Sequence, residues 1–214
     1  MQMPVIFLIG PVQHGKSTAR RLVSELTGLR GASCSDVIYA LLALRKGVPE
    51  TELRKIPKET LRPELIEFGN WLCGETEGLK EVPVDKTIDS EIDYRVPSAI
   101  IRTLYHAGVH VIDGARRSLE LDQARAHLQW NGVRSLVIWV EKTGGPKIKD
   151  STTVKKEQAD HVVKNDGTEE ELKARLKEIL VKEFPPPEQA PRAEPVILDA
   201  SGGIATLART LVTS

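Results

Sequence analysis

The sequence predicts an α/β fold in three layers, with a parallel sheet of about five strands flanked by helices. Short apolar segments alternate with amphipathic segments along most of the 214 residues. The first strand-like segment, residues 5–9, is continuously apolar, as expected of a strand covered on both faces. Hydrophobic residues make up 40% of the chain, which is enough for the core of one such domain.

The first half of the chain contains two predicted strands and a polar insertion. An amphipathic helix over 16–26, ended by Gly28, follows the first strand. A second strand around 32–34 leads to a helix over 36–44, with Ser35 as its expected N-cap and an end near Gly47. Residues 48–97 are polar and rich in proline, with one amphipathic stretch over 64–72, and we expect a helical insertion there.

The alternation of helix and strand resumes after the insertion. The predicted elements are a helix over 98–106, a strand over 109–113, a helix over 118–130, a strand over 136–140, a short strand over 161–163 and a helix opened by a capping box at 168–171. The segment 142–157 is aperiodic and rich in Gly, Lys and Thr. We expect one domain over 1–184, followed by a proline-rich linker and a final strand–helix pair within 185–214.

Charge and composition exclude several classes of function. Lys plus Arg and Asp plus Glu each number 30, so the formal net charge is zero, and aromatic residues make up 4%. Binding to nucleic acid through bulk positive charge or base-stacking platforms is therefore not expected. No apolar run is long enough to span a bilayer and no signal peptide is apparent, so no membrane partner is expected and the location is predicted to be cytoplasmic.

Cysteine and histidine do not indicate a structural metal or disulfide framework. Cys34 and Cys73 are too few for a disulfide scaffold. His106 and His110 are four residues apart but straddle Gly108 at a predicted helix–strand junction, so we do not expect them to share a helical face.

Residues 10–17, Gly-Pro-Val-Gln-His-Gly-Lys-Ser, match the motif G-x-x-x-x-G-K-[ST] at every fixed position. We call this segment the phosphate loop, because its backbone N–H groups and the following helix N-terminus are suited to phosphate oxygens. Lys16 would reach the β- and γ-phosphates, Ser17 would supply an oxygen to Mg²⁺, and Thr18 would bond near the α-phosphate. His14 is expected to line the loop rather than to catalyse. The residues predicted to bind ATP are Gly10, Gln13, His14, Gly15, Lys16, Ser17 and Thr18.

An acid and two arginines follow at the end of a later predicted strand. Asp113 would hold Mg²⁺ together with Ser17, the alternative being that it caps the next helix. Arg116 and Arg117 fall where a parallel sheet faces its ligand crevice, and planar guanidinium groups suit phosphate oxygens. Together with Lys16 they are the predicted catalytic cations, the alternative being a solvated helix start.

The chain resembles the P-loop deoxynucleoside monophosphate kinases of phage type, relatives of adenylate kinase and dephospho-coenzyme A kinase. The resemblance covers roughly residues 4–181 and is carried by the phosphate loop, Ser33-Cys34-Ser35-Asp36, residues 61–69, residues 111–116 with Glu120, and residues 159–168. It implies a P-loop NTPase fold and ATP- and Mg²⁺-dependent transfer to a nucleoside 5′-monophosphate. It also places Asp36, Arg62, Arg116 and Glu120 where the acceptor is held.

The same resemblance assigns roles to the irregular segments. The insertion over 48–97 would be the monophosphate-binding region and 142–157 the lid, in the cytoplasm of a bacterium or of a phage-infected host. The family strand end usually reads Asp-x-Arg, whereas here the acid stands one place earlier and Gly114 follows it. The family lid commonly carries arginines, whereas here it has five lysines, at 142, 147, 149, 155 and 156. The partners expected are small nucleotides, with a homodimer left open.

Two other functions remain open at this stage. One is a kinase acting on another small acceptor, such as dephospho-coenzyme A or a hydroxyl of a modified nucleotide; the other is a nucleotide-binding protein without catalysis. A hydroxyl acceptor needs a base near the γ-phosphate, whereas a phosphate acceptor needs cations. The phosphate acceptor is favoured by a set of arginines, Arg62, Arg95, Arg102, Arg116 and Arg117. The preferred base and the choice between ribose and deoxyribose stay open.

Overall fold

The computed structural model describes residues 3–72, 98–145 and 153–185. The chain divides into two compact units, Met1–Glu183 and Phe184–Ser214, and of the second only residues 184 and 185 are described. Three predicted features therefore lie outside the described residues: the second half of the insertion with Arg95, the centre of the predicted lid, and the final strand–helix pair.

Within the described residues, the sheet has five strands, all parallel, in the order β2-β3-β1-β4-β5. Its strands are β1 (Val5–Ile9), β2 (Gly31–Ser33), β3 (Val111–Asp113), β4 (Ser135–Glu141) and β5 (His161–Lys164). The helices are α1 (Lys16–Thr27), α2 (Cys34–Lys46), α3 (Glu50–Leu53), α4 (Lys58–Leu72), α5 (Ala99–His106), α6 (Ser118–Trp130) and α7 (Glu169–Glu183). A 3₁₀ turn spans Lys156–Gln158. The predicted α/β class and the parallel sheet of about five strands are confirmed.

Every residue of β1 is fully buried, because helices cover both faces of the sheet. Val5, Phe7 and Ile9 belong to a core shared with apolar residues of α2, α4, α5 and α6. Ile6 and Leu8 point to the opposite face, since side chains alternate along a strand. On that face α1 packs against both the sheet and α7. The result is three layers, with the apolar β1 at the centre.

The carboxyl ends of the central strands meet at one edge of the sheet. Leu8 and Ser33 are both in register with Asp113, so the ends of β1, β2 and β3 lie side by side. The phosphate loop leaves β1 at this edge, between β3 and β4. Crevices at such positions in parallel sheets are where α/β proteins bind ligands.

The start of α2 differs from the prediction. Its N-cap is Ser33, not Ser35, and the helix begins at Cys34 rather than at residue 36. The Ser33 hydroxyl accepts from the Ser35 amide, and the Ser33 amide donates to Asp36 Oδ2 at 2.9 Å. This capping box satisfies two amides and therefore starts the helix earlier.

Two further boundaries were wrong. β3 begins at Val111 rather than at 109, because the Val109 amide donates to Leu104 O and so closes the end of α5. α4 begins at Lys58 rather than near 64 and contains Pro63. Among the described residues, no helix is both long enough and apolar enough to cross a membrane.

Candidate active site

A cavity of about 370 Å³ opens at the carboxyl edge of β1, β2 and β3. One wall is the phosphate loop with the first turn of α1, and we call it the donor wall. The opposite wall comes from α2, α4, α5, the β3–α6 connection and the first turn of α6, and we call it the acceptor wall. The lining charges are Lys16, Arg62, Arg116 and Arg117 against Asp113 and Glu120. Cations therefore outnumber carboxylates, which suits a ligand that carries phosphate groups.

The two fixed glycines of the phosphate loop occupy positions that exclude a side chain. Gly10 has φ +132°, and a Cβ there would collide with Val140 O. Gly15 has φ +91°, and a Cβ there would collide with the Asn165 side chain. Glycine is needed at both places because the backbone is left-handed and closely packed.

The loop directs its backbone toward the cavity. Of the predicted nucleotide-binding residues, six line the cavity: Gly10, Gln13, Gly15, Lys16, Ser17 and Thr18. α1 starts at Lys16 and its N-cap, Gly15, makes no side-chain cap, so no capping side chain competes with an anion at the start of the helix. Lys16 Nζ donates to Gly10 O at 2.7 Å and to Pro11 O at 2.5 Å, which holds the ammonium group against the loop.

His14 does not line this cavity. Its side chain is buried, with 8% exposure, and turns toward the segment after β4, where Nδ1 accepts a hydrogen bond from the Lys142 amide at 2.9 Å. The prediction that His14 lines the loop and binds ATP is not reflected in the cavity lining, because this hydrogen bond holds the ring against the segment after β4.

Asp113 lies at the end of β3 and is buried, with 3% exposure. Its Oδ1 is buried without a hydrogen-bond partner, although it lies in the same cavity as Ser17. The carboxylate does not cap α6, since the N-cap is Arg117 and no side chain caps that helix. A buried carboxylate oxygen without a partner, in a cavity also lined by a serine, fits Mg²⁺, which proteins hold through one or two carboxylates together with substrate phosphates.

Arg20 of α1 connects Asp113 to the start of α2. Its Nε lies 3.6 Å from Asp113 Oδ2, and its Nη1 lies 3.9 Å from Asp36 Oδ2. The Arg20 methylenes pass over Gly31, where a Cβ would approach them to 3.1 Å. Arg54 then pairs with the other oxygen of Asp36 at 3.1 Å. Asp36 is occupied by this network and by its capping role, and the structure does not place it in the cavity lining.

Four predicted residues come together on the acceptor wall. Arg62 reaches it from α4, and its Nη2 is buried without a hydrogen-bond partner. Arg117 is buried and donates to Asn70 Oδ1. Glu120, with 2% exposure, accepts from the Arg116 amide at 3.3 Å. The predicted residue Arg95 lies outside the described residues.

Arg102 and the other histidines lie away from the cavity. Arg102 is on α5, and His127 is on α6. Burial of the His127 ring, and then the positive charge of Arg102, lower the pKa of His127. His106 is the last residue of α5, whereas the His110 ring lies against Pro4 O. Within residues 3–72, 98–145 and 153–185, no group of three or more His, Cys, Asp or Glu side chains could hold a metal by itself.

The sequence did not predict that one whole face of α4 lines the cavity. The helix lines the cavity at 62, 65, 66, 69 and 70, a spacing that places all five residues on one side. Asn70 is the polar member that was not predicted, and it binds Arg117. Helical spacing counted from Arg62 identifies it once α4 is known to include Arg62.

Comparisons with known proteins leave the family open. No protein-family model matches the chain. No curated protein matches it either. Among solved structures, the chain is similar to an unliganded sugar kinase from Janibacter sp. HTCC2649, with 15% identity over 81% of this chain and 92% of that chain and a TM-score of 0.38.

Proposed function

We propose that the protein transfers the γ-phosphoryl group of ATP to the phosphate of a nucleoside or deoxynucleoside 5′-monophosphate. The reaction would convert ATP and the monophosphate into ADP and the corresponding diphosphate. The observation that supports it is a single cavity with a phosphate loop on one wall and Arg62, Arg116 and Arg117 on the other.

The donor wall accounts for the binding of ATP. Loop amides and the uncapped α1 terminus would bind the phosphate oxygens, and Lys16 would move from the loop carbonyls to the β- and γ-phosphates. Ser17 and Asp113 would hold Mg²⁺, which neutralises charge on the phosphates when it is bound. The buried Asp113 Oδ1 without a partner is the feature that makes this assignment specific.

The acceptor wall would bind an acceptor that carries a phosphate group. Transfer between two phosphates brings like charges together, so it requires positioning and neutralisation more than a strong base. Arg62 offers a buried N–H group without a partner, and Arg116 and Arg117 line the same cavity. Planar guanidinium forks bind phosphate in two-point fashion.

A hydroxyl acceptor is the second candidate, and one observation favours it. The Asp113 Oδ1 that would help to hold Mg²⁺ could instead accept the proton of an attacking hydroxyl. In that case the arginines would bind a phosphate elsewhere on the acceptor.

The test is ADP release from ATP and Mg²⁺ with a panel of acceptors. The panel contains the ribo- and deoxyribonucleoside monophosphates, the matching nucleosides and dephospho-coenzyme A, and phosphorus NMR identifies the product. We expect at least one monophosphate to raise ADP release far above the acceptor-free rate and to give a diphosphate. Stimulation by a hydroxyl acceptor alone would replace the proposal with the second candidate. ATP binding without turnover on any acceptor would indicate a non-catalytic nucleotide-binding protein.

A further inference from the structure

We infer that His14 is a positioning residue that holds the phosphate loop in its ATP-binding conformation before the nucleotide arrives. The inference rests on the proposed use of ATP, but it concerns a position that the loop motif leaves variable. His14 is not among the residues that line the cavity, so any effect it has is transmitted through the loop.

Two hydrogen bonds connect His14 to the segments that follow β4 and β5. Its Nδ1 accepts from the Lys142 amide at 2.9 Å, and its backbone carbonyl accepts from Asn165 Nδ2 at 3.1 Å. Lys142 directly follows β4 and Asn165 directly follows β5. His14 is therefore attached to the ends of two strands at once.

The segment that contacts the His14 ring, residues 142–145, is held in place by hydrogen bonds of its own. The amide and the hydroxyl of Thr143 donate to the two oxygens of Asp166, at 2.6 and 2.7 Å. These bonds, first the hydroxyl and then the amide, lower the pKa of Asp166. Gly145 closes the turn by donating to Lys142 O at 3.1 Å. A Cβ at Gly145 would come within 2.6 Å of His14 Nε2, so the ring fits closely against it.

The loop needs such an anchor because Gln13, the residue before His14, is strained. Gln13 has φ +63°, which is costly for a residue with a Cβ, whereas Gly15 adopts its φ of +91° without strain. With His14 held behind the loop, Gln13 and Gly15 on either side of it line the cavity. A loop already in this conformation loses less conformational entropy when it binds phosphates, and its affinity for ATP is correspondingly higher.

Two substitutions separate the hydrogen bond from simple packing. In His14→Leu the side chain fills space but accepts no hydrogen bond, whereas in His14→Asn a δ-oxygen can accept in place of Nδ1. His127→Leu is the matched control, because it makes the same change on α6, away from the cavity. The readouts are calorimetric binding of a non-hydrolysable ATP analogue with Mg²⁺ and hydrogen exchange of the Lys142 amide in the nucleotide-free protein.

We expect His14→Leu to weaken binding of the analogue about tenfold, the size of one lost hydrogen bond, and to speed exchange at Lys142. His14→Asn should recover most of the affinity and protection, His127→Leu should change neither, and the KM for the acceptor should stay the same in all three. Unchanged affinity in a folded His14→Leu would overturn the inference. Equal loss in a folded His14→Asn would overturn it too, because packing alone would then explain the effect.

The design separates this inference from the proposed function. If the wild-type protein binds no adenine nucleotide, both fail. If the wild-type protein binds the analogue and His14→Leu binds it with the same affinity, only the proposed role of His14 fails. If His14→Leu does not fold, His14→Asn decides: wild-type-like affinity together with a protected Lys142 amide supports the inference, and loss of either one overturns it.

Discussion

The two walls of the cavity are built in different ways. The donor wall is one continuous segment, residues 10–18, whose contacts with a ligand would come largely from backbone amides. The acceptor wall gathers side chains from α2, α4, α5, the β3–α6 connection and the first turn of α6, which are separated by up to about 85 residues. A site made of backbone amides requires a particular loop conformation, so it can be recognised in the sequence as a local motif of glycines. A site made of side chains requires particular groups that the fold brings together, so the sequence shows it only through the helical spacing of the residues within each element.

The largest expected effect is on the donor wall, at Lys16. Lys16→Met keeps the length of the side chain but removes its charge, and we expect kcat to fall by at least about 100-fold, because a cation that stabilises transition-state charge is lost. The measurement is ADP release at saturating acceptor. Lys16 also bonds two loop carbonyls, so the thermal midpoint must be followed in parallel. Residual turnover near the wild-type rate would show that the loop binds nucleotide without serving catalysis.

Asp113 lies where the two walls meet, and its substitution distinguishes the two candidate acceptors. We expect Asp113→Asn to lower kcat between about 10- and 100-fold and to raise the Mg²⁺ concentration needed for half-maximal rate, because a carboxylate that helps to hold the ion becomes neutral. Magnesium titrations at fixed ATP measure this shift. A fall in kcat with an unchanged Mg²⁺ requirement would instead support proton transfer from a hydroxyl acceptor.

The difference between the walls also explains what the sequence could predict. The phosphate loop, β1 and α6 were predicted at or near their observed bounds, since each depends on local pattern. The start of α2 was misplaced because its capping box depends on Asp36 reaching back to the Ser33 amide. The side-chain direction of His14 depends on a partner 128 residues away, which no local pattern contains. Asn70 could have been found from the face of α4, but only once that helix was known to begin at Lys58 and to pass through Pro63.

A smaller effect is expected on the acceptor wall, at Arg62. Arg62→Gln removes one charge-assisted contact, so we expect the KM for the acceptor to rise about tenfold while the affinity for ATP is unchanged. Arg62→Lys should recover only part of the loss, because an ammonium group cannot make a two-point contact. Arg21→Gln is the matched control, since Arg21 is half exposed on α1 and pairs with Glu25 and Glu169. Equal changes in the KM of ATP and of the acceptor would mean that the two walls do not bind separate substrates.

The smallest effect on catalysis is expected at Asp36, where the resemblance and the structure assign different roles. The resemblance implies contact with the acceptor, whereas the carboxylate caps α2 and pairs with Arg54 and Arg20. Asp36→Ala should therefore lower the free energy of unfolding by about 1 kcal/mol, the usual cost of a lost cap, and leave the acceptor KM within about twofold of wild type. Thermal unfolding and acceptor titration measure the two quantities on the same sample. A large rise in KM at unchanged stability would mean that Asp36 turns into the cavity when the acceptor binds. In that case the acceptor wall, unlike the donor wall, would be completed only by its ligand.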